Sequence, residues 1–69
     1  MKKYIVTLNW YKELHKFHTV ARSKMHALNN GIHQLAELLD RPTHTVRSYI
    51  MAEQESRFGV EEVNQDERT

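Results

Sequence analysis

The sequence predicts a small α+β domain, an antiparallel-rich sheet in β-β-α-β order with one helix packed on one face. Three observations point there. Two runs near the N-terminus alternate between apolar and polar residues with the period of a strand. A capped stretch behind them repeats its apolar residues at intervals of three and four, the period of a helix face. A proline then ends that stretch, and β-branched residues follow it. With 69 residues the chain has material for a single core. The domain is expected to span residues 1–63, with a charged, disordered tail over 64–69.

Residues 3–11, KYIVTLNWY, place Tyr4, Val6, Leu8 and Trp10 on one face and Lys3, Ile5, Thr7, Asn9 and Tyr11 on the other. Residues 14–22, LHKFHTVAR, set Phe17, Thr19 and Ala21 against Lys16, His18, Val20 and Arg22. The intervening Lys12-Glu13 lacks the Asn-Gly or Gly chemistry of a two-residue hairpin loop, so a longer turn through Tyr11 and Leu14 is expected.

Ser23 is placed to cap a helix, its hydroxyl accepting an orphan N–H of the first turn. Behind it Ala27, Leu28, Gly31, Ile32, Leu35, Leu38 and Leu39 form one apolar stripe, which predicts a helix over about residues 24–40. Asn29-Asn30-Gly31 would alternatively cap a shorter helix. If Gly31 is helical, it lets the helix lie close to the sheet. Pro42 ends the helix, having no N–H and disfavouring helical geometry at Arg41.

Residues 43–58 admit two readings. As a strand, THTVRSYIM offers Thr43, Thr45, Val46, Tyr49 and Ile50 to a sheet, with Val46, Ser48 and Ile50 on one face. Phe58 to Val63 would then be a short further strand or an ordered extension packed on the sheet. As a helix, Pro42 suits a first turn, Val46, Tyr49 and Ile50 share a face, and Met51 to Arg57 are good helix formers. The evident hairpin ahead favours the strand.

Each reading carries a resemblance. Phe17-x-Thr19-x-Ala21-x-Ser23-x-x-x-Ala27, a strand running into a capped helix, resembles small phage-encoded proteins of strand-strand-helix-strand order that dock on host macromolecules, T7-type inhibitors of host RNA polymerase among them. That resemblance covers residues 3–52 and implies a fold and a way of working, inhibition of a host protein of the transcription or defence machinery, with no single contact residue. Leu35, Ala36, Leu39, Val46 and Tyr49 are spaced as in helix-turn-helix DNA-binding proteins. This second resemblance covers about 20 residues and implies a transcriptional regulator in which Thr43, His44, Thr45 and Arg47 face phosphates and base edges. Asp40 stands where that turn usually has Gly, and Arg41 where an apolar residue is usual.

Charge is uneven along the chain. Lys2, Lys3, Lys12, Lys16, Arg22, Lys24, Arg41 and Arg47 face only Glu13, Glu37 and Asp40 in the first 50 residues, whereas the last 19 are acidic. A basic body of this kind attracts a polyanion or an acidic protein patch. The candidate partner-binding residues are accordingly Tyr11, Lys12, Lys16, His18, Arg22 and Arg47. An exposed sheet edge would also allow a homodimer.

No enzymatic chemistry is expected. The chain has no cysteine and only two glycines, so it offers neither a thiolate site nor a glycine-rich phosphate loop. His15 and His18 point to opposite sides of a strand, which defeats joint metal ligation, and His26 and His33 have no evident third ligand. A non-enzymatic binding protein without cofactor or metal, located in the cytoplasm and making no membrane contact, is the expectation.

Overall fold

The computed structural model describes residues 1–52 and 57–63. Its elements are β1 (Lys2–Trp10), β2 (Glu13–Ala21), α1 (Lys24–Leu39), α2 (Thr43–Ala52) and β3 (Phe58–Val63). The strands make one antiparallel sheet in the order β2-β1-β3. Both helices pack on the same face of it, giving a two-layer α+β fold.

The β1 alternation sets the layers. Tyr4, Val6 and Leu8 are buried under the helices, and Trp10 packs at the margin of the core. In register, Val6 lies between Phe17 of β2 and Val60 of β3, and Leu8 between His15 and Phe58. The β1–β2 connection is tighter than its composition predicts. Trp10 pairs with Glu13, leaving Tyr11 and Lys12 as a two-residue loop with φ of 48° and 75°. Positive φ at both positions matches the right-handed twist of the strands, and here it is imposed on residues with side chains. Tertiary contacts of Tyr11, described below, offset that strain.

α1 begins as its cap predicts: Ser23 is extended and its Oγ accepts the His26 N–H at 3.3 Å. Gly31 is helical and buried, and it brings α1 against the centre of β1. A Cβ there would lie 2.6 Å from Val6 Cγ1. Of the stripe expected on α1, Ala27, Leu28, Gly31, Ile32 and Leu35 are buried, Leu39 is half-buried and Leu38 is exposed, while Ala36 is buried beside them. Asn30 Nδ2 donates to Thr19 Oγ1 at 3.0 Å, tying the helix to β2.

α1 ends at Asp40, whose backbone is left-handed (φ 59°, ψ 47°). The Asp40 N–H reaches Glu37 O at 3.2 Å and the Arg41 N–H reaches Ala36 O at 3.0 Å, the paired bonds of a Schellman end. Pro42 then opens α2, its carbonyl accepting from Thr45 and Val46. The strand expected over residues 43–51 is therefore a helix. Val46 and Ile50 are fully buried and Ser48 is exposed, the helical rather than the alternating pattern. The third strand lies instead at Phe58–Val63, where it pairs with the free edge of β1. Expectations for Glu53 to Ser56 and for the tail over 64–69 lie outside the described residues.

Candidate nucleic-acid interface

The hairpin tip and α2 meet. Tyr11 stacks on Tyr49 with ring centroids 4.4 Å apart and planes 20° apart, and Trp10 sets an edge against both rings at 4.8 and 4.9 Å. The Tyr11 N–H donates to Tyr49 Oη at 3.3 Å. Arg57 lies over the Tyr49 ring with Cζ 3.9 Å from its centroid, and its Nη1 donates to Tyr49 O at 2.8 Å. Aromatic pairs of this geometry contribute about 0.5–1.5 kcal/mol each beyond burial. They hold the strained turn, which ends in Lys12, against Tyr49 of α2.

An open groove of about 430 Å³ runs along this junction, lined by Trp10, Tyr11, Glu13, Arg41 and Thr45. The outward side of α2 presents His44, Arg47, Ser48 and Met51, all exposed, at i, i+3, i+4 and i+7. Thr45 is exposed on the flank facing the groove. Thr43 is half-buried and its Oγ1 lies 3.5 Å from His33 Nδ1, so it faces α1 more than solvent. No acidic residue stands in the first turn of α2, which leaves the positive end of the helix dipole free to favour an anion. Glu13, Glu37 and Asp40 temper the local charge, so the basic character comes from Lys12, Arg41 and Arg47.

The residues singled out in the sequence divide between two surfaces. Tyr11, Lys12, His44, Thr45 and Arg47 belong to the tip and α2. Lys16 and His18 lie on the sheet face turned away from the helices, paired in register with Thr7 and Ile5. Arg22 is exposed beyond the other end of β2, roughly 30 Å of extended strand from Lys12. Sequence reasoning missed Arg41 and Tyr49 as members of the surface. Arg41 was legible as one cation of the basic body and as a departure from the helix-turn-helix spacing, and Tyr49 as a residue suited to a strand or to a core position of that motif.

The architecture defines a small α+β domain carrying a helix, a three-residue turn and a second, outward-facing helix. Comparison with protein-family models, curated proteins and solved structures finds no match to the chain. Among the described residues no helix is long and apolar enough to cross a membrane.

Proposed function

We propose that the chain binds duplex DNA, with α2 as the element that enters the major groove and the β1–β2 hairpin tip as a clamp on the bordering phosphates. The observation that carries this reading is the turn at Asp40. Its left-handed backbone supplies the geometry that Gly usually supplies in a helix-turn-helix, so the departure noted in the sequence is one of residue type and not of conformation. Of the motif's apolar positions Leu35, Ala36 and Val46 are buried and Leu39 and Tyr49 half-buried, Ile50 joins them as support, and the sheet stands where a third helix would complete the core.

The dimensions agree. An α-helix with its side chains is about 10–12 Å across, which the major groove, about 12 Å wide, admits, and the ten residues of α2 give about 15 Å of helix to lie along it. Arg47, His44 and Ser48 face outward towards base edges, where Arg47 is suited to a bidentate contact with guanine. Lys12 and Arg41 flank the helix as phosphate contacts, which position the domain without reading sequence.

Selection from a randomised duplex pool at low salt tests this. The expected result is enrichment of a short site containing guanine, whose preference at that position relaxes in Arg47→Ala. Recovery of no duplex, or an unchanged preference in Arg47→Ala, would overturn it.

A further inference from the structure

We propose that the sheet face opposite the helices is the interface of a two-fold homodimer, formed by a second copy of this chain lying face to face on the first. Among the described residues no element packs on this face. It carries Leu14, Lys16, His18 and Val20 from β2, Lys3, Ile5, Thr7 and Asn9 from β1, and Gly59, Glu61 and Val63 from β3. Val20 is 50 % exposed and Leu14 69 %. Lys3, Ile5, His18, Val20 and Val63 border a shallow apolar groove of about 570 Å³ across the three strands.

Register makes the face complementary to itself. The strands align Lys16–Thr7–Gly59, His18–Ile5–Glu61 and Val20–Lys3–Val63 as rows across β2, β1 and β3. A two-fold axis along β1, midway between two such faces, keeps each row at its own height and exchanges its ends. Ile5 then meets Ile5 of the second copy, Val20 meets Val63, and His18 meets Glu61 twice. Lys16, the diagonal neighbour of that pair, brings a cation to the acidic side chain. Lys3 is the single like-charge meeting, at the end of the strand where its ammonium reaches solvent past its apolar stem.

The fit is isologous, the commonest form of closed assembly, and packs the sheets in the aligned manner of a sandwich about 10 Å apart. Its footprint is small, three strands at about 4.8 Å and some six residues at about 3.4 Å. The dimer should therefore fall below the standard size of specific interfaces and be transient, dissociating in the upper micromolar range. The inference stands independently of DNA binding. Where both hold, the axis leaves the two hairpin tips at the same end and the two α2 helices roughly 30 Å apart on the outer layers, near the one-turn spacing of about 34 Å between half-sites.

Sedimentation equilibrium of the full chain without DNA tests the interface. The wild type should pass from monomer to dimer over micromolar concentrations, and His18→Glu or Glu61→Lys alone should be monomeric at tenfold higher concentration, each with unchanged circular dichroism. Mixing the two variants should restore a dimer. In the mixed pair the side chain introduced by His18→Glu meets the one introduced by Glu61→Lys, and the unaltered His18 and Glu61 meet each other. A wild type that is monomeric throughout the series, variants that dimerise as the wild type does, or a mixture that stays monomeric would each overturn the proposal.

Discussion

Replacing Gly31 by Ala sets two effects of known sign against each other. In an isolated helix Ala stabilises by about 1 kcal/mol over Gly. Here the added methyl would stand 2.6 Å from Val6 Cγ1, 3.0 Å from its Cβ and 3.4 Å from its Cγ2, against a comfortable carbon separation of about 3.5–4.0 Å. Val6 cannot step aside, being fully buried on the central strand with Phe17 and Val60 in register on either side. Overpacking of this kind costs about 1–3 kcal/mol, so Gly31→Ala should destabilise by about 1 kcal/mol net of the helix gain. Val6→Ala removes two methyl groups and leaves a cavity, a loss of about 2–3 kcal/mol. In the double variant the new methyl occupies the vacated space, and the loss should fall short of the sum by at least about 1 kcal/mol. Urea unfolding followed by circular dichroism, near the temperature of greatest stability, gives all four free energies. Gly31→Ala raising the midpoint, or strict additivity, would refute the close approach of α1 to β1.

Substitutions at three further positions probe the elements that build the candidate interface. Asp40→Val forces a β-branched side chain into left-handed backbone and should cost about 1–2 kcal/mol in urea unfolding, whereas Asp40→Gly should be neutral or stabilising. Tyr49→Ala removes the ring shared by Tyr11, Trp10 and Arg57 and should cost about 3 kcal/mol, with loss of the near-ultraviolet signal of Trp10. Tyr49→Phe keeps the stacking and should cost about 1 kcal/mol or less, the net worth of one hydrogen bond. Ser23→Ala should lose about 1 kcal/mol through the unmet N–H of His26.

How legible these features were depended on whether local pattern alone decided them. The β1 alternation, the Ser23 cap and the α1 stripe are settled by residues within a few positions of one another, and the structure has them where the sequence places them, Leu38 of the stripe excepted. Residues 43–51 were not, because Val46 and Ile50 share a face in a helix and in a strand alike. What decides the segment is distant: Phe58–Val63 takes the free edge of β1, while α1 and β1 offer Val46 and Ile50 a core in which to be buried. The hairpin loop failed for a related reason. Tyr11 and Lys12 are poor residues for positive φ, and the contacts that compensate reach 38 positions along the chain, to Tyr49. The separation of Lys16 and His18 from Lys12 was implicit in the strand parity, since the open face is the one they share with Ile5.

The salt dependence of duplex binding tests the central claim most directly. Fluorescence anisotropy on a labelled duplex, titrated at several salt concentrations, should show an affinity that falls as salt rises, with a logarithmic slope shallower by about 1 for each of Lys12→Ala and Arg41→Ala. Absence of binding at low salt, or slopes identical to wild type in both variants, would contradict an interface built from the hairpin tip and α2.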